Sequence, residues 1–329
     1  MARFLPRRGG TEVAGLHILA VGPPHRLASA REVILRVGHS YDGVPHFEGL
    51  LERVRRASPD VVLYDWGEGG RDSLECLDAV CDLEDAPGII LLTDPAPPPD
   101  VLALLERAWF TQALALEAPW FAEELAVTLS KVSGGPIFGL ARSLPANAEL
   151  HELEVTGSED KAAVLQRLSD FVGRIGVHSR VVSMLATIAD ELFTNAVYDA
   201  PVGPEGPRYR DWPRTRRVDL APDERPIIRF GSDGRVFGIS ATDPFGNLGS
   251  EALRHYIVKG LRRGADQIDQ RAGGAGLGLF FLYDRANSFC VHRSPGRRSE
   301  IIILLDVRGS YRDALQCPKS YLVFEGDDP

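Results

Sequence analysis

The sequence has few cysteines, no long apolar run and no excess of positive charge. Its four cysteines show no Cys-x-x-Cys spacing and no neighbouring histidine cluster, which argues against a zinc site and favours reduced thiols in the cytoplasm. No apolar run approaches the ~20 residues that span a bilayer. The net charge of −9 argues against a protein that binds nucleic acid or a membrane surface through basic residues. We therefore expect a cytoplasmic protein that binds neither.

The length of 329 residues exceeds what one ordinary hydrophobic core holds and predicts two domains. With 44% apolar and 25% charged residues, the composition is that of a globular protein. A Ser-Gly-Gly-Pro stretch at 133–136 has the composition of a linker. We expect a tail over 1–13, a first domain over 14–132, a linker over 133–147, a second domain over 148–308 and a C-terminal tail over 309–329.

In the first half, short apolar runs alternate with helical patterns. The runs are 16–21, 61–64, 89–92 and 113–116. Between them, apolar residues recur at three- and four-residue spacing. This alternation predicts parallel strands joined by helices in a doubly wound α/β sheet.

This half resembles a response-regulator receiver domain. Asp65 ends a strand where that family carries its phospho-acceptor, and Thr93 matches the family's hydroxyl position. The family's acidic pair and lysine are replaced by Gly-Pro-Pro at 22–24 and by Glu117. Phosphoryl transfer to a carboxylate needs a metal and a cation to offset the developing charge. We therefore expect a degenerate receiver used for protein interaction or dimerisation, in which Asp65 is not phosphorylated.

The second half begins with a loose strand pattern at 149–156. Two helices follow, at 158–176 and 179–196, and then a long loop from Pro201 to Pro226 that is rich in proline, arginine and glycine. Further strand candidates are 227–230, 236–241, 288–292 and 301–307. Helices on a largely antiparallel or mixed sheet make an α+β sandwich.

Three segments of the second half carry candidate chemistry. Glu191 and Asn195 lie four apart on one helix, so their side chains share a face. An amide oxygen suits magnesium, and a carboxylate can orient a water or a hydroxyl. Asp243 follows a strand and can accept a hydrogen bond from an exocyclic amine. The run 273–279, Gly-Gly-Ala-Gly-Leu-Gly-Leu, precedes a helix, and its backbone N–H groups can approach phosphate oxygens.

Each segment alone also has an ordinary structural explanation. The acid–amide pair can be the polar stripe of an amphipathic helix, Asp-Pro-Phe-Gly can be a simple turn, and the glycine run can be a surface loop. The three segments together, in this order, predict a pocket for a nucleotide and its magnesium ion.

The segments resemble the N, G1 and G2 boxes of the GHKL superfamily of ATP-binding domains (the Bergerat fold), which includes gyrase and histidine kinases. Within it they look most like the anti-sigma-factor serine kinases, over roughly 148–307. The resemblance implies that Asn195 binds magnesium, Glu191 is the general base, Asp243 contacts the adenine amine and Gly246 shapes the adenine pocket. It also implies that 247–272 forms a mobile lid over the triphosphate and that Gly274, Gly276, Leu277 and Gly278 contact the nucleotide.

This resemblance implies a signalling serine/threonine kinase that uses ATP and magnesium to act on another signalling protein, such as an anti-sigma antagonist or a sigma-like factor. A homodimer is a further expectation. One alternative is an interaction switch that responds to ATP or ADP without phosphoryl transfer. Another is a scaffold whose second domain no longer binds nucleotide.

Overall fold

The chain is a mixed α/β protein that divides into two compact units. The computed structural model describes residues 15–94, 98–262, 278–309, 312 and 317–326. Unit 1 comprises Met1–Ile137 and Pro318–Leu322, and unit 2 comprises Phe138–Cys317 and Val323–Pro329. The change of unit at Ile137 falls inside the predicted linker 133–147. None of the helices in the described ranges is both long enough and apolar enough to cross a membrane.

Unit 1 is built on parallel strands joined by helices. Its strands are β1 (His17–Val21), β2 (Ser40–Val44), β3 (Val61–Asp65), β4 (Gly88–Thr93) and β5 (Gln112–Ala115). Its helices are α1 (Ala28–Arg36), α2 (Leu50–Ala57), α3 (Trp66–Gly69), α4 (Leu74–Cys81), α5 (Pro98–Leu105) and α6 (Phe121–Val132). The strands are parallel in the order β2-β1-β3-β4-β5. Helix α1 packs against α6, and α2 packs against α4.

The buried strands of unit 1 can be predicted from their apolar pattern, whereas the exposed edge strand cannot. Every side chain of β3 is buried, as expected for a central strand of a parallel sheet that is covered on both faces. Strand β2 was not predicted, because it is an edge strand in which only Val44 is buried. Its sequence, Ser-Tyr-Asp-Gly-Val, therefore carries no apolar signal.

The segment 309–329, predicted as a C-terminal tail, instead contributes a strand, β13 (Ser320–Glu325). This strand pairs antiparallel with β5 through Tyr321 and Leu322. The Ser320 hydroxyl donates to Glu124 Oε2 at 2.6 Å and accepts from the Ala115 N–H at 3.0 Å. The Tyr-Leu-Val-Phe run at 321–324 was the available signal, since a short continuous apolar run is typical of a buried strand.

Unit 2 is built on antiparallel strands with helices. Its strands are β6 (Glu149–Glu154), the short pair β7 (Val202–Gly203) and β8 (Gly206–Pro207), β9 (Ile227–Ser232), β10 (Val236–Asp243), β11 (Ser288–Ser294) and β12 (Arg298–Asp306). Its helices are α7 (Lys161–Arg174), α8 (Ser179–Thr194), α9 (Ser250–Leu261) and α10 (Gly278–Arg285). The main sheet has the order β11-β12-β10-β9-β6, with antiparallel neighbours.

Aromatic side chains join the helices of unit 2 to its sheet. The ring of Phe171 on α7 lies 5.5 Å from that of Phe230 on β9 and 6.3 Å from that of Phe237 on β10. All three side chains are buried, and each contributes about 1.5–3 kcal/mol through burial. Helix α8 packs against α7 and β10, which fixes the face that α8 presents to the candidate site.

The predicted loop and the predicted lid both contain regular structure. The predicted loop from Pro201 to Pro226 includes the β7–β8 pair and a 3-10 turn at Pro222–Glu224. The predicted lid, 247–272, includes α9, whose Leu253 and Ile257 are buried. The part of the lid beyond residue 262 lies outside the described residues.

Candidate functional site

The candidate site is built on α8, the helix that carries Glu191. Its apolar face is buried and includes Val181, Leu185, Ile188 and Leu192, whereas Glu191 is half-buried. At Asn195 the α-helix changes into a π-helical turn, Asn195–Asp199, in which the Ala200 N–H donates to the Asn195 carbonyl at 2.8 Å. Such turns occur frequently at functional sites.

Gly278, the first residue of α10, lies directly against the side chains of Glu191 and Asn195. A Cβ atom at position 278 would lie 2.5 Å from Glu191 Oε2 and 3.7 Å from Asn195 Oδ1. A Cβ essentially never comes within 3.0 Å of a non-bonded heavy atom, so only glycine fits without displacing the carboxylate. The structure therefore brings together three of the residues that were predicted to form the site.

Among the described residues, the side-chain amide of Asn195 has a hydrogen-bond donor without a partner. Its Nδ2 is buried and has no hydrogen-bond partner among the residues that the structure describes. Leaving a buried donor unpaired costs about 1–3 kcal/mol, so native proteins seldom retain one without a ligand or a water. The Oδ1 atom of the same amide, near Gly278, is the kind of oxygen that a hard cation accepts as a ligand.

Glu191 has an increased affinity for protons. Burial raises the pKa of its carboxyl, and the negative charge of Asp190 acts in the same direction. Lys161, which forms an ion pair with Asp190, opposes the shift. Asp199 raises the pKa and Arg214 lowers it, and these two side chains form an ion pair at 3.1 Å. A carboxylate with a raised pKa is better matched to general-base chemistry near neutral pH.

Asp243 ends β10 and starts a tight turn. Its Oδ1 accepts hydrogen bonds from the N–H groups of Phe245 at 2.9 Å and Gly246 at 3.3 Å. Burial raises the pKa of the Asp243 carboxyl to about 6, and the two N–H groups oppose that shift. The group is mostly ionised at neutral pH and can accept a further hydrogen bond from an amine.

Gly246 occupies a position that admits no side chain. Its φ is +65°, and a Cβ would lie 2.2 Å from the Ser294 carbonyl oxygen and 2.7 Å from the Arg297 nitrogen. Its own carbonyl accepts a hydrogen bond from Arg293 Nε at 2.9 Å, and Arg293 Nη1 also contacts Glu325 Oε2 at 3.2 Å. The turn after Asp243 is thereby fixed to the β11–β12 hairpin.

The turn that follows Asp243 lies at the same end of α8 as Glu191 and Asn195. Asn247, in the turn that follows β10, donates through Nδ2 to the Ala200 carbonyl at 3.5 Å. Ala200 in turn closes the π turn that begins at Asn195. The predicted nucleotide contacts Gly274, Gly276 and Leu277 lie outside the described residues.

Sequence reasoning missed the cations close to Glu191. Lys161 comes from the start of α7 and Arg214 from the loop after the π turn, so no local spacing connects either residue with Glu191. Only the arginine content of the loop indicated that cations would be available there.

In unit 1, Asp65 is fully buried and bonded to Arg26. Arg26 Nε lies 2.5 Å from one carboxylate oxygen and Nη2 lies 3.0 Å from the other, while Nη2 also reaches Asp94 Oδ2 at 2.7 Å. The Gly67 N–H donates to Asp65 Oδ1 at 3.1 Å. Because both oxygens are engaged, this geometry offers a physical reason to expect that Asp65 does not accept a phosphoryl group.

No known protein family matches this chain, and no curated protein matches it significantly. The arrangement of Glu191, Asn195 and Gly278, rather than a relative, is what points to a function.

Proposed function

We propose that unit 2 binds ATP or ADP together with magnesium. The observation that carries this proposal is the position of Gly278 against Glu191 and Asn195. Gly278 belongs to the glycine-rich run, and it lies against a carboxylate–amide pair on one helix. The Nδ2 atom of Asn195 adds support, since it is buried and without a partner among the described residues, so that a ligand or a bound water would satisfy it.

The residues present fit a magnesium nucleotide. Asn195 would hold magnesium through Oδ1, because this cation prefers oxygen ligands. When bound, magnesium offsets the charge of the phosphates and helps to orient them. Gly278, with Gly274 and Gly276 before it, would let backbone N–H groups approach the phosphate oxygens.

Asp243 would select adenine. Its carboxylate, which has a pKa of about 6, is an acceptor at neutral pH. The exocyclic amine of adenine donates a hydrogen bond, whereas guanine presents an acceptor at the corresponding position. Gly246 supports this role because it fixes the turn that orients the Asp243 side chain.

We further propose protein serine/threonine kinase activity. Glu191 takes the proton from a hydroxyl group of a partner protein as that oxygen bonds to the γ-phosphorus, and the bond to the β-phosphate oxygen breaks to release ADP. The raised pKa of Glu191 supports the role of base. By the resemblance to anti-sigma kinases, the partner is a signalling protein such as an anti-sigma antagonist or a sigma-like factor.

A nucleotide-responsive switch is the second candidate, and one contact favours it. Glu191 Oε2 lies against Gly278, so the first residue of α10 covers the proposed base. In a switch, nucleotide binding displaces α10 together with α9, which packs on it, and this movement gates a partner without phosphoryl transfer.

We propose that unit 1 is a degenerate receiver that serves protein interaction or dimerisation. The strand order β2-β1-β3-β4-β5 and the position of Asp65 at the end of β3 support this assignment. Incubation with acetyl phosphate tests it, and we expect no label on Asp65. A phosphorylated Asp65 would show that the ion pair with Arg26 opens readily and that the receiver is functional.

Binding of a fluorescent ATP analogue, with and without magnesium, tests the proposal for unit 2. We expect binding that depends on magnesium in the wild type and is lost in Asn195→Ala. Thr187→Ala is the matched control, because Thr187 is exposed on the same helix. If the wild type shows no magnesium-dependent binding, the kinase and the switch both fail.

Radiolabelled ATP distinguishes the kinase from the switch once a partner has been isolated by pull-down. Kinase activity predicts a labelled partner with the wild type and none with Glu191→Ala or Glu191→Gln. Tight nucleotide binding without any labelled partner supports the switch. Labelling that survives both substitutions rules out Glu191 as the base.

A further inference from the structure

Tyr198 holds the loop at 201–226 against the end of α8. The Tyr198 hydroxyl donates to the carbonyl oxygens of Arg214 and Arg216, which lie at 3.1 and 3.0 Å. Tyr198 is buried on the π turn, three residues after Asn195. The loop that lengthens the chain between α8 and β9 thus returns to the proposed nucleotide site.

Arg214 is the cation that this anchoring brings to the π turn. Its Cζ lies 4.7 Å from the centre of the Tyr198 ring, and its Nη2 donates to Asp199 Oδ1 at 3.1 Å. A cation–π contact and an ion pair together fix the guanidinium group. Its Nη1 atom is buried and has no hydrogen-bond partner within the part of the chain that the structure describes.

A buried guanidinium N–H group without a hydrogen-bond partner can bind an anion. Native proteins seldom leave such a donor atom without a partner, because the atom has lost its hydration without gaining a hydrogen bond in return. The charge of Arg214 is also felt at the proposed site. Burial and Asp190 raise the pKa of Glu191, whereas Arg214 lowers it.

We propose that Arg214 binds an oxygen of the β- or γ-phosphate of the nucleotide through Nη1, so that the loop at 201–226 supplies part of the phosphate site. This assignment rests on the proposed binding of nucleotide by unit 2. The planar guanidinium suits the role because Nη1 can bind phosphate while Nη2 stays on Asp199. Arg216 in the same loop lacks these features, since its side chain is exposed and its Cζ lies 3.3 Å from the centre of the Trp212 ring.

The test compares the affinities of ATP, ADP and AMP, each with magnesium, by isothermal titration calorimetry on the full chain. In Arg214→Ala we expect the affinity for ATP to fall by about 10- to 100-fold, while the affinity for AMP changes by less than about twofold. Whether ADP follows ATP or AMP identifies the phosphate that is bound. Arg214→Lys keeps the charge and is expected to lose less of the preference for ATP over AMP.

Two control variants separate phosphate binding from a structural role. Asp199→Asn weakens the same ion pair but keeps the cation, and Arg216→Ala removes a neighbouring cation of the same loop. Both are expected to retain the preference for ATP. Equal losses for all three nucleotides in Arg214→Ala and Asp199→Asn would show that the ion pair only anchors the loop, which overturns the assignment.

Nucleotide binding by the wild type shows whether only the assignment of Arg214 is wrong or the proposed function as well. If it binds ATP and both Arg214 variants keep its ratio of ATP to AMP affinity, only the assignment of Arg214 is wrong. If the wild type binds none of the three nucleotides, the proposed function is wrong and the assignment is wrong with it.

Discussion

The buried contact between His292 and Glu300 allows a quantitative prediction about stability. The two residues face each other across the β11–β12 pair, and their side chains are 0% and 1% exposed. His292 Nδ1 lies 3.3 Å from Glu300 Oε2, and the Gly139 N–H donates to the same oxygen at 2.7 Å. Replacing His292 with alanine leaves the carboxylate buried with only part of its compensation.

The expected loss is a large part of the total stability. Removing one partner of a buried ion pair costs about 3–5 kcal/mol, because the remaining charge is uncompensated. The free energy of unfolding of a typical domain is about 5–15 kcal/mol. We therefore expect His292→Ala to lower the urea midpoint of unit 2 markedly, as measured by circular dichroism at pH 7.5.

The pH dependence of this loss follows from Glu300. Burial alone would raise the pKa of its carboxyl, but the hydrogen bond and charge of His292 hold the pKa below its usual range. In the wild type, this contribution to stability is present above the unfolded pKa and is lost as the pH falls through the folded pKa. Without His292, burial raises the pKa instead. The difference in unfolding free energy between wild type and His292→Ala then shrinks as the pH falls from 7.5 towards 5.

A second substitution provides the control. Glu300→Gln removes the charge but keeps an oxygen acceptor for the Gly139 N–H. We expect His292→Ala combined with Glu300→Gln to recover more than half of the lost stability, because no unpaired charge remains. A loss below about 1 kcal/mol in His292→Ala, or a loss that does not change with pH, would refute the reasoning.

Three further substitutions test other close contacts. Gly278→Ala forces its Cβ and Glu191 Oε2 apart by at least 0.5 Å, the difference between 2.5 and 3.0 Å. Since that oxygen ends a flexible side chain, we expect the unfolding free energy to change by less than about 1 kcal/mol. Calorimetry is expected to show weaker binding of magnesium–ATP. Unchanged binding would contradict the proposed site. Arg26→Ala leaves Asp65 buried and charged, so urea unfolding is expected to show a loss of about 3 kcal/mol, and an unchanged midpoint would contradict this. Gly246→Ala places a side chain at a left-handed φ and against neighbouring backbone atoms. We therefore expect the free energy of unfolding, measured by thermal unfolding, to fall by about 3 kcal/mol. A variant as stable as the wild type would show that the turn adapts.

Elements with a strong apolar pattern could be predicted from the sequence. Strands β1, β3, β4 and β5 each contain a run of buried apolar residues, and the helix carrying Glu191 was expected at 179–196 against the observed Ser179–Thr194. Periodicity identifies such elements because burial of their side chains determines their conformation. It does not identify β2, which is formed by hydrogen bonds at a sheet edge.

Contacts between distant segments could not be predicted. The spacing of Glu191 and Asn195 predicted a shared face, but it gave no indication of the π turn or of the approach of Gly278. The ion pair of Arg26 with Asp65 joins residues 39 apart, and no local pattern connects them. Tertiary packing decides such arrangements, which is why sequence reasoning found the candidate residues of the site more readily than its cations.

The pairing of β13 with β5 relates the completion of unit 1 to protein synthesis. The hydrogen bond from the Ala115 N–H to Ser320 Oγ joins residues 205 apart. At about 5–20 residues per second, a ribosome needs on the order of 10–40 s to make the intervening chain. During that time the nascent polypeptide presents the open edge of β5, where strands of other chains can pair. Unit 1 therefore gains residues 320–322, its part of β13, only after nearly all of unit 2 has been translated.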